Sequence, residues 1–311
     1  MASHRQLKSK LRTVENIKQI TKAMEMVSAT KMRKSQEVAL RARPFAKKAL
    51  ELLYAVSAYQ EEDKEQNMFF QHKEGKACVV VVTSDKGLCA SYNSQVLRLA
   101  LQWCQENPGA DIVAVGRKGR DFFKRRGVTP VSEFLQFSDI VTLYDVAPLS
   151  EWILQAFEQE RYSEIMIAST HFLSALNQKP GIHQILPLEL DELEEMIKHI
   201  VPKTGKYSEW PAFAEALAGK KEKALPYLLE PTAEAIFETL VRDLLQVEIL
   251  HFILEANASE HSSRMVAMKN ATENALAIEE KLQLALNKAR QASITQELTE
   301  ISTAKEALTA E

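Results

Sequence analysis

The residues of this chain best placed to do chemistry lie in two short turns. Ser84-Asp85-Lys86-Gly87-Leu88-Cys89-Ala90-Ser91 follows the apolar run Cys78 to Val82 and precedes a helical stretch, the setting in which a strand–turn–helix unit holds a phosphate. It has one glycine where a dinucleotide turn needs three, and it lacks the Gly-Lys-Ser/Thr ending of a phosphate loop. Gly116-Arg117-Lys118-Gly119 is a second helix start at which an anion could sit, and a plain tight turn is the alternative at both places. His4, His72, His171, His183, His199, His251 and His261 show no metal-ligand spacing. Cys78, Cys89 and Cys104 are odd in number and form no CxxC pair, which points to a reducing compartment. The expectation is therefore no catalytic residue, no bound metal and no cofactor.

The elements that would carry those turns are flanked by two long helices. Thr232 to Glu311 contains neither proline nor glycine and is dense in Ala, Leu, Glu, Lys and Gln, so it reads as one helix on the order of 100 Å long. An apolar stripe steps through Leu240, Leu244, Val247, Leu250, Leu254, Ala258, His261, Met265, Met268, Thr272, Ala275, Ile278, Leu282, Ala285 and Ala289. Its mean step of about 3.5 residues is the coiled-coil period. Beyond Ala289 the stripe fades, so those turns should meet something outside the chain. Met1 to Arg43 is also free of both helix breakers, with Leu7, Leu11, Val14, Ile17, Met24, Val27 and Met32 marking its apolar face. Pro44 predicts a kink, not an end, before Phe45 to Tyr59.

All nine glycines and ten prolines fall between Pro44 and Pro231. The expected fold is an antiparallel two-helix coiled coil of the N- and C-terminal helices (1–60 and 231–311), with an inserted α/β domain (75–228) containing a small, mostly parallel sheet. Strands are expected at Lys76 to Thr83, Asp111 to Val115 and Glu164 to Ala168, and helices at Tyr92 to Gln105, Arg117 to Arg126 and Ser150 to Glu160. Residues 188–226 read as an extension of that domain, in which Tyr207, Trp210 and Phe213 could bind a partner or be buried on the host. Residues 1–48 hold thirteen Lys or Arg against three Glu, whereas the whole chain carries a net charge of −3. The excess suits an acidic partner. No apolar run is long enough to cross a bilayer and residues 1–10 lack a signal core, so a cytoplasmic protein is expected.

Several stretches together resemble the gamma subunit of F-type ATP synthases, in order and over most of the chain. They are Ile17-Lys18-Gln19-Ile20-Thr21-Lys22-Ala23-Met24-Glu25-Met26-Val27 with Lys31-Met32-Arg33-Lys34-Ser35; Thr83 to Cys89; Ser262 to Thr272; and Asn287-Lys288-Ala289-Arg290-Gln291-Ala292-Ser293-Ile294-Thr295-Gln296-Glu297-Leu298. The resemblance implies a non-catalytic rotor shaft, one copy per complex, inside a hexamer of alpha and beta subunits. It also implies contact with the epsilon subunit and the membrane c-ring, as a peripheral protein on the cytoplasmic face of the inner (plasma) membrane. On that basis Lys18, Lys22, Met24, Lys31, Arg33, Lys34, Arg264, Arg290, Gln291, Thr295 and Glu297 are the expected rotor–hexamer contacts. Small or adaptable side chains (Ala23, Met24, Met26, Ala29, Ala289, Ala292) would suit a bearing. Departures from the family pattern are Ala90-Ser91 where Gly-Gly is usual, Leu286 where Tyr is usual, and a longer 188–226 stretch. That stretch has no cysteine, so the redox switch of plastid relatives is not expected.

The rival from another class is a basic coiled-coil arm that binds nucleic acid, although the cations are interleaved with Met, Val, Ile and Ala. A nucleotide-dependent enzyme built on the α/β domain is the other alternative, disfavoured by the missing phosphate-binding glycines.

Overall fold

The computed structural model describes residues 4–59, 68–71, 74–138, 141–188 and 232–309. Most of the 188–226 extension, with Tyr207, Trp210 and Phe213, therefore lies outside the described residues. The elements are α1 (His4–Tyr59), β1 (Lys76–Val82), α2 (Tyr92–Glu106), β2 (Asp111–Val115), α3 (Arg117–Lys124), β3 (Ser132–Phe134), α4 (Leu143–Glu158), β4 (Tyr162–Phe172), β5 (Gln178–Leu186) and α5 (Ala233–Thr309). Two compact units result, one from Met1–Ser28 with Arg264–Glu311, the other from Ala29–Ser263.

The larger unit is built on a five-stranded sheet of order β3-β2-β1-β4-β5. The pairs β1·β2, β1·β4 and β2·β3 are parallel, and β4·β5 is antiparallel. The central strand β1 is buried on both faces, as a parallel strand covered by helices must be. Cys78, Val80 and Val82 face a cluster shared with α4 and α5, while Val79 and Val81 face α2 and α3. Each buried valine contributes roughly 1.5–3 kcal/mol, so β1 alone supplies an amount comparable to the whole stability of an ordinary domain. From Leu244 to Ser259 α5 is buried on nearly every side, including Leu244, Leu245, Ile249, Phe252 and Ile253. Val38, Ala39 and Ala49 of α1 join the same cluster. In α4, Thr142 and Asp145 form a reciprocal capping box that fixes the helix start.

The smaller unit is an antiparallel helix pair. Thr272 bonds Thr21 (Oγ1–Oγ1 2.8 Å) and Lys18 Nζ bonds Glu279 Oε2 at 2.6 Å. The buried and half-buried positions of α1 here are Leu7, Leu11, Val14, Glu15, Lys18, Thr21, Met24, Glu25 and Ser28; those of α5 include Met268, Thr272, Ala275, Glu279, Leu282, Leu286 and Ala289. Both sets keep the seven-residue repeat. Three expected stripe positions are overturned: Ile17 (47% exposed), Val27 (53%) and Ile278 (48%) point outward. The seam runs instead through their polar neighbours Lys18, Ser28 and Glu279, because a strict 3.5 period, once set by Leu7, Leu11 and Val14, cannot include Ile17 or Val27.

Candidate functional site

The phosphate alternative at the ends of β1 and β2 can be decided from hydrogen bonds. A helix start binds an anion only if its first amides are free to donate. At the start of α3, Arg117 N donates to Asp85 Oδ1 (2.9 Å), Lys118 N to Ser84 O (3.1 Å) and Gly119 N to Thr83 Oγ1 (2.8 Å). Asp85 Oδ2 also accepts from Gln136 N at 3.0 Å. The chain's own carboxylate thus occupies the place an incoming phosphate would need. The other turn is clamped as well: Asn93 Oδ1 accepts from Ser84 N (2.9 Å) while Asn93 Nδ2 lies 3.1 Å from Cys89 Sγ. These are tight turns, the plain alternative.

Among the described residues the resolved shifts of the two cysteines and the tyrosine run against nucleophilic activation. Burial pushes the Cys78 thiol far up, reinforced by Asp111, and burial also raises Cys104, so both stay protonated. Burial raises the Tyr162 phenol, whose hydroxyl donates to Asp111 Oδ2 at 3.0 Å. Asp145 is held below the usual carboxylate range by the Thr142 side-chain and backbone hydrogen bonds. Among the described residues no group of three or more His, Cys, Asp or Glu side chains is arranged to hold a metal. No helix of the described residues is long and apolar enough to cross a membrane.

The surface that stands out is the far part of α5. Thr21 against Thr272 and Lys18 against Glu279 set a register in which the first residue of α1 falls level with about residue 291 of α5, given equal rise in both helices. Past that level none of the described helices runs beside α5, and every side chain from Arg290 to Thr303 is exposed. Ile294 (50%), Leu298 (62%) and Ile301 (66%) recur there at steps of four and three, one face of a helix. Of the expected contact residues, Arg290, Gln291, Thr295 and Glu297 lie on these turns, and Lys22 is exposed with Nζ 3.0 Å from Glu25. Met24 is half-buried at the seam. Arg33 and Lys34, exposed, and Lys31, half-buried, belong to the larger unit. Lys18 is engaged by Glu279 within the chain, and Arg264 is buried at 7% exposure.

A family model described as "ATP synthase" matches residues 3–308. The ATP synthase gamma chain of Chloroflexus aurantiacus (strain J-10-fl) is 34% identical over 315 residues, covering 99% of this chain and 100% of that one. The chain belongs to the ATP synthase gamma family. Gamma chains of Akkermansia muciniphila (34% identity, 99% and 100% coverage) and Desulfitobacterium hafniense (33%, 97% and 97%) are similar to the same extent. The fold is shared with a chain of the Euglena gracilis mitochondrial ATP synthase (TM-score 0.61, 20% identity, 99% and 95% coverage). It is also shared with one in the central stalk/c-ring of the Tetrahymena thermophila enzyme (TM-score 0.56, 24% identity, 81% and 99% coverage). A gamma chain is the central-stalk subunit of an F-type ATP synthase and has no catalytic site of its own.

Two features of this gamma chain escape a sequence-only view. Ala90, at the family's Gly position, adopts φ +47, a left-handed conformation that an L side chain resists. His171 and His183, twelve residues apart, are brought together across the β4–β5 hairpin with their Nε2 atoms 2.6 Å apart. Only the antiparallel pairing of those strands puts them there.

Proposed function

We propose that this chain turns as a shaft within a hexamer of alpha and beta subunits, one copy per complex, coupling rotation of a membrane c-ring to ATP synthesis or hydrolysis and regulating that activity. The observation that carries this is the far end of α5, whose apolar face of Ile294, Leu298 and Ile301 is exposed and could be covered by a surrounding sleeve. Arg290, Gln291, Thr295 and Glu297 would contact the sleeve, with Met24 near the bearing. Lys22, Lys31, Arg33 and Lys34 would meet acidic loops of the beta subunits; Lys18 and Arg264 would instead hold the shaft together.

An asymmetric shaft touches three catalytic sites differently at each angle, and can favour a different open or closed state in each. A contact equal in all states would shift nothing. The epsilon subunit would join the larger unit, and the complex would sit on the cytoplasmic face of the inner (plasma) membrane. Reconstitution with alpha and beta subunits tests this: hydrolysis and rotation should appear with the chain, and rotation should be lost when α5 is cut after Ala289. Normal rotation after that cut would refute the role given to those turns.

A further inference from the structure

On the α5-facing side of the larger unit, β4 and β5 bring two imidazoles together. Ile167 pairs with His183 and His171 with Lys179, and Gly181 stands between, opposite Ser169. A Cβ on Gly181 would lie 2.7 Å from His183 Nε2 and 3.3 Å from His171 Cδ2, so a side chain there would push the rings from their present places. Their planes cross at 86° with centroids 4.5 Å apart, and Phe252 of α5 stacks on His183 at 5.5 Å.

Chemistry settles which nitrogen of His171 carries the proton. His171 Nδ1 lies 2.6 Å from Glu255 Oε2, and a carboxylate only accepts, so the hydrogen is on Nδ1. In the neutral tautomer with that proton the lone pair is on His171 Nε2, which lies 2.6 Å from His183 Nε2. An orienting carboxylate behind a histidine is the arrangement found behind metal-ligating imidazoles. Glu255 is itself held, with His251 Nε2 3.5 Å from its Oε1. On the same sheet face, the hydroxyl of Ser169 is buried (1% exposed) and has no hydrogen-bond partner among the described residues. His171 is 24% exposed, which leaves a way in from solvent.

We propose that His171 and His183 bind a first-row divalent cation of the zinc class through their Nε2 atoms. Glu255 positions His171, solvent completes the coordination shell, and the Ser169 hydroxyl faces the same space. Two nitrogens at about 2.0–2.1 Å from a tetrahedral zinc stand about 3.3 Å apart, so the present 2.6 Å need open by less than about 1 Å. On binding, the Nε2 proton of His183 is lost from that atom, either to its Nδ1 or to solvent, and the Nε2 lone pair takes the metal. The cation would clip β5 to β4 and, through Glu255, both to α5.

The test is Zn2+ binding by the full chain, read by competition with a chromophoric chelator and by melting temperature. Wild type should take up one equivalent that His171→Gln, His183→Gln and the double variant do not, and Zn2+ should raise the melting temperature of wild type only. Glu255→Gln should weaken binding 10–100-fold while leaving one equivalent. His4→Gln, at an exposed position of α1 outside the site, should retain it. Uptake by wild type no greater than by a folded double variant, or uptake lost in His4→Gln but kept in His183→Gln, would overturn the proposal. Should a glutamine variant fail to fold, the 15N signals of His183 in wild type decide: the Nε2 resonance must move on adding Zn2+.

Discussion

Replacing Gly116 by alanine probes the lock that closes the α3 start. Gly116 sits at φ +88, ψ 149, a region nearly reserved for glycine, and placing another residue there costs about 1–3 kcal/mol. The new Cβ would also lie 2.8 Å from the Thr83 carbonyl carbon and closer still to its oxygen. Thr83 cannot yield freely: its N donates to Val115 O (2.8 Å), its Oγ1 donates to the same oxygen (2.9 Å), and its Oγ1 accepts from Gly119 N (2.8 Å). Disturbing two of these bonds adds about 1 kcal/mol each, for a total of about 3–5 kcal/mol. Gly109 is the control, at φ +90 with nothing within 4 Å of an added Cβ, so Gly109→Ala carries only the backbone cost of about 1–2 kcal/mol. Urea unfolding followed through Trp103 and Trp152 should show the Gly116→Ala midpoint lower by about 1.5–2.5 M, taking a slope near 2 kcal/mol per M. Equal midpoints for Gly116→Ala and Gly109→Ala would refute the steric argument.

Ala90→Gly should raise the stability of the larger unit by about 0.5–1 kcal/mol, since relief of the left-handed strain exceeds the extra unfolded-state entropy; thermal unfolding measures it. In the helix pair, Thr272→Val alone should cost about 1 kcal/mol, whereas Thr21→Val with Thr272→Val should be nearly neutral, a coupling that a double-mutant cycle on melting curves detects. Met24→Lys puts a cation at a half-buried seam position; in the assembled enzyme it should lower protons pumped per ATP while hydrolysis continues, and an unchanged ratio would count against the bearing.

The helices and the core strand were legible because they rest on local rules. Absence of glycine and proline marks α5 and α1 as far as Arg43, and the Cys78 to Val82 run marks a strand buried on both faces. β3 and β5 were not, for different reasons: β3 has three residues, and β5 mixes Lys179, Pro180, Gly181 and His183 as a polar antiparallel edge. The seam of the helix pair was misjudged where side-chain chemistry and geometry disagree. Ile17 and Val27 look like core, but the heptad places Lys18 and Ser28 inside. Of the expected contact residues, those on the last turns of α5 are exposed as the fading stripe suggested. The engagement of Lys18 by Glu279 depends on a partner 261 positions away, which no local pattern encodes.

That seam has a bearing on how the protein is made. Two hydroxyls and an ion pair interrupt the otherwise apolar inside of the helix pair, while Ile17, Ile20, Val27, Ile294, Leu298 and Ile301 face out, so zipping up leaves oily side chains on the rind. Such a coil invites clumping when left bare. Its synthesis should therefore be matched in time and amount to the subunits that enclose it.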